Sequence, residues 1–282
     1  MSEESKLQIE PVSSALGAEV RGADLSKPLG EEKLAALREA FSEYGVLFFR
    51  DQTLSPESQI RFAEAWGSIV INRFFTPVDG FPQVAEVRKE PHQSFNVGGG
   101  WHTDHSYDVE PALGSVLCAK NVPEMGGDTL FAGMSAAYDA LSDGLKETLS
   151  GLNALHSSRH VFGDLADLPA DMRDRFGNPE KATQDTVHPV VIAHPLSGRK
   201  TLYVNPGFTR HFEGWTMDES RPLLDYLYKH ASNEAFTYRF RWEPGAVAFW
   251  DNRATWHYAV NDYPGQLRLM HRITLDGEAV SA

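Results

Sequence analysis

Short β-rich segments separated by turns dominate the sequence beyond residue 110, and they limit the folds that this chain can adopt. The runs at 188–192, 200–204 and 246–250 are rich in β-branched and aromatic residues and are too short for typical helices. Between residues 236 and 242, aromatic residues alternate with Thr and Arg, which is the period of a half-buried strand. Many short strands with few helices favour a closed or double-sheet β-fold of jelly-roll type.

Helical patterns occur at four places. Residues 34–41 carry Leu and Phe at helical spacing, and the apolar run that follows them predicts a buried strand. A second helix is predicted to begin with Ser55 as its N-cap and to end at Gly67. Two more helices are predicted, one over 135–149 and one that begins at Thr216 with a capping box.

The segment 159–186 differs from its surroundings. It is polar, contains Gly and Pro, and has only weak periodicity. A loop this long inside a compact domain is either disordered or a functional lid, and we expect a lid. The length of 282 residues fits one large domain or two small ones, and 41% hydrophobic residues suffice for a sizeable core. We expect one domain over residues 1–282.

Composition excludes several classes of function. The net charge is -13 and no cluster of Lys and Arg is visible, which argues against nucleic acid as a partner. No apolar run reaches the roughly 18 residues that a membrane span needs. Cys118 is the only cysteine, so the chain has neither a disulfide framework nor a cysteine metal cluster. The polar N-terminus does not resemble a secretory signal, and we therefore expect a cytoplasmic protein.

A His-x-Asp pair in the sequence Trp-His-Thr-Asp is the first candidate for chemistry. If this segment is a strand, His102 and Asp104 point to the same face and can share one metal ion. The pair alone is weak, because a surface His beside a turn Asp is common. His257, which follows a second predicted strand, would complete a set of two His and one carboxylate. Such a set suits non-haem Fe(II), although zinc sites use the same ligand types. We call these three residues the metal triad.

Two arginines add a second constraint. Arg268 and Arg272 lie four residues apart in an apolar-rich run that is typical of a strand, so both point to one face. Their Cα atoms would be roughly 13 Å apart at about 3.3 Å per residue. Two cations on an inward face are costly unless each meets an anion, and the planar guanidinium matches a carboxylate. A strand that faces solvent remains the alternative.

Together, these motifs resemble the taurine and aryloxyalkanoate dioxygenase family, TauD/TfdA. The resemblance covers nearly the whole chain and rests on the order and spacing of Trp101-His-Thr-Asp104, Gly126-Gly-Asp-Thr-Leu130, Trp250-Asp-Asn252, His257 and Arg268, with Gly17 to Asp24 and Val204-Asn205 in addition. It implies a mainly β fold with flanking helices, whose core is a double-stranded β-helix (a jelly roll, cupin-like). It also implies that 2-oxoglutarate and O2 are consumed, that succinate and CO2 are released, and that a small organic anion is hydroxylated.

The same resemblance implies roles for individual residues. The metal triad would ligate Fe(II), and Thr129 and Arg268 would hold the far carboxylate of 2-oxoglutarate. Arg272 matches a family arginine near the other end of the co-substrate and near the anion of the primary substrate. We further expect a homo-oligomer, either a dimer or a tetramer.

The chain departs from the taurine enzymes at two places. Those enzymes use a His to grip sulfonate where an ungapped alignment places Asn72, and the Gly98–Gly100 run lacks polar side chains. Asn72 and Arg272 are the candidate substrate contacts. We expect a larger organic anion, such as an aryloxyalkanoate-like carboxylate, with sulfonates and sulfates as further options. A taurine dioxygenase proper, a zinc hydrolase and a non-catalytic metal-binding jelly-roll protein are the alternatives.

Overall fold

The computed structural model describes residues 6–163, 165–166 and 175–282. Among them, the helices are α1 (Glu31–Tyr44), α2 (Pro56–Glu64), α3 (Met134–Asp139), α4 (Asp143–Ser150), α5 (Arg159–Phe162) and α6 (Met217–Ala231). The strands are β1 (Gln8–Pro11), β2 (Ala18–Arg21), β3 (Val46–Phe49), β4 (Ile69–Val70), β5 (Pro77–Val78), β6 (Phe81–Lys89), β7 (Gly114–Asn121), β8 (Thr129–Gly133), β9 (Asn153–Ser157), β10 (Asp185–Pro189), β11 (Val191–Ala193), β12 (Lys200–Leu202), β13 (Thr209–Phe212), β14 (Thr237–Phe240), β15 (Val247–Asp251), β16 (Thr255–Ala259) and β17 (Arg268–Leu275). The fold is therefore mainly β, as the sequence predicts.

The strands form one large sheet and three small ones. The large sheet has the order β1-β2-β3-β15-β7-β17-β6-β5, with β4 paired to β17. The small sheets are β14-β8-β16, β10-β9-β13 and the hairpin β11-β12. Within the described residues, β2 and β3 pair in parallel and the remaining strand pairs are antiparallel. Antiparallel pairing agrees with the short connections between most strands.

The large sheet is covered on both faces. Along β15, Val247 and Phe249 belong to a core that includes helices α1 and α2, whereas Ala248 and Trp250 point into a second core. That second core lies between the large sheet and the sheet β14-β8-β16, where the Phe48 ring stacks on a ring from β14 at 4.2 Å. This alternation follows from the two-residue period of a strand. Both faces of β15 are buried, and the strand accordingly has no polar residue before Asp251.

Two helix starts are confirmed, while two other helix predictions are wrong. Ser55 caps α2 by accepting a hydrogen bond from the Ser58 N–H at 3.2 Å, and Thr216 forms a capping box with the residue three positions on. Helix α2 ends at Glu64 rather than at Gly67. The predicted helix 135–149 is two helices, because Ser142 adopts an extended backbone and starts α4.

The predicted strands also need corrections at their ends. The run 188–192 divides at Val190 into β10, which pairs with β9, and β11, which pairs with β12. The run 200–204 stops at Leu202, and the strand expected over 246–250 is shifted by one residue. The alternating run 236–242 is a strand only over β14. The apolar run after the first predicted helix and the run that carries Arg268 and Arg272 are strands, β3 and β17, as predicted.

The segment 159–186 lies partly outside the described residues, at 164 and 167–174. Its described part is not an uninterrupted loop, because it contains α5, a 3-10 turn at Pro179–Lys181 and the start of β10. Our expectation of a lid stays a prediction. Within the described part of the chain, no helix is long and apolar enough to cross a membrane.

Candidate metal centre

An isolated antiparallel bridge brings the two histidines of the metal triad together. The N–H of His102 donates to the carbonyl of His257 at 3.1 Å, and the reverse hydrogen bond is 2.8 Å long. Asp104 lies in the turn that follows. The three side chains offer ligand atoms that all lie within 4.8 Å of one another. Our expectation of a regular strand through His102 and Asp104 is wrong, but the side chains converge as predicted.

The ring orientations suit a metal ion. The Nε2 atoms of His102 and His257 lie 3.8 and 3.7 Å from the two carboxylate oxygens of Asp104. The Nδ1 of His102 lies 2.8 Å from the carbonyl oxygen of Gly100, which can only accept a hydrogen bond. The Nδ1 therefore carries the proton, and the Nε2 lone pair is available to a cation.

Burial sets the charge states of these groups. It lowers the pKa of both imidazoles below the ordinary value, and that of His257 well below it. Burial alone would raise the pKa of the Asp104 carboxyl, but the Arg272 guanidinium and the two imidazoles outweigh it, and the pKa lies well below its usual range. Neutral imidazoles and an ionised carboxylate are the forms that bind metal ions.

Arg272 lies at the metal end of the site. Its Nη2 is 2.8 Å from Asp104 Oδ2, and it also donates to Ser115 Oγ at 3.2 Å. The Ser115 hydroxyl donates to the same carboxylate oxygen at 3.1 Å. Among the described residues, the buried Nε of Arg272 has no hydrogen-bond partner. Arg272 thus orients a metal ligand and keeps one donor for a further anion.

Arg268 and Thr129 lie together, as the resemblance implies. Arg268 is buried and donates from Nε to the carbonyl of Gly127 at 3.1 Å, while its Nη2 has no partner among the described residues. The Nε1 of Trp242 donates to the Thr129 hydroxyl at 2.9 Å, which leaves the hydroxyl proton for another acceptor. A buried guanidinium with an unpaired donor needs an anion, and a carboxylate matches its geometry.

A cavity of about 340 Å³ joins these groups. The metal triad, Thr129, Arg268 and Arg272 all line it. The remaining lining is largely apolar and includes four phenylalanines; its apolar residues are Phe75, Val87, Val97, Leu117, Val161, Phe162, Phe176, Pro206 and Phe208. The site therefore combines cationic and metal-binding groups with an apolar surface that suits the body of an organic substrate.

Asn72 is not among the described residues that line this cavity. Its side-chain oxygen accepts hydrogen bonds from the N–H groups of Phe74 and Phe75, at 2.9 and 3.0 Å. Asn72 thus shapes the turn that presents Phe75 to the cavity. His105 and His271, which lie next to Asp104 and Arg272 in the sequence, are also not among the described residues that line the cavity.

Sequence reasoning missed several residues of the site. Trp242 was assigned only to a half-buried strand, yet it orients Thr129. Gly207 packs so closely against the metal triad that an added Cβ would lie 2.7 Å from the Cβ of His102. The four phenylalanines of the cavity wall lie far apart in the sequence, and no local pattern groups them. Only the Val-Asn strand end before Pro206 and Gly207 belongs to the motifs that carry the family resemblance.

Comparisons with known proteins agree with this geometry. The sequence model of the taurine catabolism dioxygenase TauD, TfdA family matches residues 8–274. An alpha-ketoglutarate-dependent sulfate ester dioxygenase from Pseudomonas putida is 36% identical, over 97% of this chain and 90% of the relative. An alpha-ketoglutarate-dependent 2,4-dichlorophenoxyacetate dioxygenase from Cupriavidus pinatubonensis is 34% identical, over 96% of this chain and 98% of the relative.

Solved structures show the same fold. A taurine dioxygenase from Burkholderia xenovorans superposes with a TM-score of 0.83 at 34% identity, and covers 98% of this chain and 93% of its own. The structure of AAD-2 in complex with Mn(II) and N-oxalylglycine gives a TM-score of 0.80 at 29% identity, with 98% of this chain and 100% of that chain covered. The chain therefore belongs to the TauD/TfdA family of dioxygenases.

Proposed function

We propose that this protein is an Fe(II)- and 2-oxoglutarate-dependent dioxygenase that hydroxylates a small organic anion with an apolar body and releases succinate and CO2. One observation carries the proposal: the metal triad lines the same cavity as the buried guanidinium of Arg268, whose Nη2 has no partner among the described residues. A zinc hydrolase or a non-catalytic metal-binding protein with this triad would have no use for the Arg268 and Thr129 pair. The relatives named above are alpha-ketoglutarate-dependent enzymes.

The metal triad would hold the iron through the two Nε2 atoms and the Asp104 carboxylate. When bound, Fe(II) with 2-oxoglutarate supplies the oxidising chemistry, in which O2 decarboxylates 2-oxoglutarate and one oxygen atom is delivered to a C–H bond. Gly100 fixes the tautomer of His102, and Ser115 fixes the orientation of the Asp104 carboxylate. Three protein ligands leave positions free for the co-substrates.

Arg268 and Thr129 would bind the far carboxylate of 2-oxoglutarate. Neither the Nη2 of Arg268 nor the hydroxyl proton of Thr129 has an acceptor among the described residues. Burial lowers the pKa of Arg268 by disfavouring its charged form, and an incoming carboxylate reverses that penalty. The charged pair would thus be formed in a site that excludes water, where it is strong.

Arg272 would meet the acid group of the primary substrate, and the phenylalanine wall would hold its apolar body. The Nη2 of Arg272 is engaged by Asp104, but its Nε has no hydrogen-bond partner among the described residues and would donate to this acid group. A fixed anion contact at one end determines which C–H bond lies nearest the iron. The carboxylate of an aryloxyalkanoate or the sulfate group of a sulfate ester would fit this contact with Arg272. Taurine is expected to be a poor substrate, because Asn72 adds no positive charge and its oxygen is occupied by backbone N–H groups.

Three broader expectations belong to this proposal. The packing of β14-β8-β16 onto the large sheet supports a double-stranded β-helix core within one domain over 1–282. The position of α5 beside the cavity supports a lid over 159–186. A homo-oligomer in the cytoplasm is proposed from the sequence-based expectation alone.

Succinate release from 2-oxoglutarate under O2 with Fe(II) tests the proposal. The panel would contain an aryloxyacetate, an alkyl sulfate, taurine and an uncharged amide analogue of the aryloxyacetate. We expect release to be stimulated by the first two anions and weakly by taurine. Preference for taurine, or equal turnover of the amide, would contradict the substrate assignment. No succinate with any compound, despite bound Fe(II), would contradict the reaction itself.

A further inference from the structure

The residue that follows the metal-binding carboxylate has an uncommon backbone conformation. His105 has a φ of 57°, in the left-handed region that non-glycine residues rarely adopt. It lies in the turn that begins at Asp104, and its carbonyl accepts a hydrogen bond from the Asp108 N–H at 3.0 Å. Such a conformation persists only where the surrounding structure holds it in place. The direction in which the chain leaves Asp104 therefore depends on what anchors His105.

The anchor of His105 is a hydrogen bond to a carboxylate. The His105 ring is buried, and its Nδ1 lies 2.9 Å from Asp108 Oδ2. The same carboxylate receives the Nη2 of Arg73, which is 2.7 Å from one oxygen and 2.6 Å from the other. His188 holds the backbone of Asp108, because its Nε2 is 3.0 Å from the Asp108 carbonyl oxygen. The ring is thus tied to a carboxylate that is itself fixed from two directions.

Arg73 in turn belongs to the turn that presents the cavity wall. Its neighbours Phe74 and Phe75 are held by the side chain of Asn72, and its own carbonyl accepts a hydrogen bond from Asn178 at 2.8 Å. Neither Arg73 nor His105 is among the described residues that line the cavity. Their contribution to the site therefore has to pass through other residues.

We propose that His105, Asp108 and Arg73 form a brace that holds the turn after Asp104 in its left-handed geometry and so positions the Asp104 carboxylate for the metal ion. All three are positioning residues, because their side chains act through the backbone at His105. The inference rests on the metal centre of the proposed function. The brace lies outside the set of metal ligands. Arg73 comes from the β4–β5 loop, and His105 and Asp108 come from the turn before β7.

Binding of Co(II) alone to the full chain, followed by its visible absorption, tests the brace without turnover. His105→Ala is expected to weaken Co(II) binding about ten- to a hundredfold, as the loss of an outer partner of a metal ligand does. His105→Gly is expected to weaken Co(II) binding clearly less than His105→Ala, because glycine adopts positive φ without a steric penalty. A higher Co(II) affinity in His105→Gly than in His105→Ala would separate an effect of backbone positioning from the loss of the imidazole alone.

Asp51→Ala is the matched control. Asp51 also has a positive φ, of 56°, but it is exposed and lies after β3, outside the cavity lining. We expect its Co(II) affinity to equal that of the unmodified protein. If His105→Ala does not fold, the comparison is made with Asp108→Asn and Arg73→Met, which are each expected to weaken Co(II) binding by about tenfold.

The outcomes separate the brace from the proposed function. If the unmodified protein does not bind Co(II), or if His102→Ala binds it equally well, the metal centre itself is wrong. If Co(II) binds at the metal triad but His105→Ala has unchanged affinity, the brace is wrong. Equal losses for His105→Ala and His105→Gly, or a lower Tm with unchanged Co(II) affinity, would also overturn it, since the residue would then act on stability alone.

Discussion

Two groups of residues line the cavity, and they are built in different ways. We call the metal triad with Arg268 and Arg272 the metal side, and the apolar lining residues the apolar side. At the metal side, His257 lies on β16, bridged to His102, and Arg268 and Arg272 lie on β17, which pairs with β7 and β6. At the apolar side, Val87 and Leu117 lie on β6 and β7, but the four phenylalanines do not lie on strands: Phe75, Phe176 and Phe208 come from connecting segments, and Phe162 comes from the four-residue helix α5.

The difference separates two requirements of the site. Strand β17 is paired on both edges and cannot move without breaking hydrogen bonds, so Arg268 and Arg272 are held at fixed distances, and His102 is held by its bridge to β16. Connecting segments tolerate changes in sequence and length, so the wall that would select a substrate can vary while the metal side does not. Substitutions on the two sides should therefore give different phenotypes.

The largest expected effect is on the metal side. His102→Ala, Asp104→Ala and His257→Ala should each abolish turnover and weaken Fe(II) binding, because two remaining ligands fix neither affinity nor geometry. Decarboxylation of 2-oxoglutarate and anaerobic Fe(II) titration measure both. The control His211→Ala changes a histidine outside the cavity lining and should behave like the unmodified protein. Near-normal decarboxylation by any triad variant would contradict the assignment.

Next in size is the effect of Arg268→Lys on the KM for 2-oxoglutarate. A lysine replaces the bidentate fork by a point charge, and the loss of a charge-assisted pair in a dry site costs about 2–4 kcal/mol, roughly thirty- to a thousandfold. Steady-state kinetics with varied 2-oxoglutarate give this value. Arg199→Lys, at an exposed ion pair with Asp139, should leave the KM unchanged. An unaltered KM in Arg268→Lys would remove this residue from the co-substrate site.

A smaller effect is expected on the apolar side. Phe75→Ala should raise the KM for an aryloxyacetate by roughly two- to tenfold, because an aromatic contact contributes about 0.5–1.5 kcal/mol beyond buried area. Fe(II) affinity and the KM for 2-oxoglutarate should not change. Phe236→Ala, which belongs to the core packed around α6, serves as the control. If Phe75→Ala shifts Fe(II) binding as strongly as substrate binding, the two sides are not independent.

The smallest expected effect concerns the segment 159–186, which we predict to act as a lid. A lid that orders over bound ligands is cut more slowly by proteases when they are present. Limited proteolysis with and without Co(II), 2-oxoglutarate and an aryloxyacetate would measure this as a change in nicking rate of about severalfold. Equal rates under both conditions would contradict the lid.

The sequence by itself predicts the parts whose signal is local. The apolar-rich run of β17, the capping box at Thr216 and the apolar run of β3 are each visible within a few residues of sequence, and the structure confirms all three. The ligand set is also readable, because His102, Asp104 and His257 occur in motifs with fixed order and spacing.

Only the tertiary structure decides how these parts meet. The break between α3 and α4 and the division at Val190 between β10 and β11 depend on neighbours that no local period reveals. The contact of Arg272 with Asp104 joins residues 168 positions apart by number (272 minus 104), and the aromatic wall gathers rings from four separate segments. Sequence motifs specify which groups are present, whereas strand pairing and side-chain packing specify their distances, and the proposed chemistry depends on those distances.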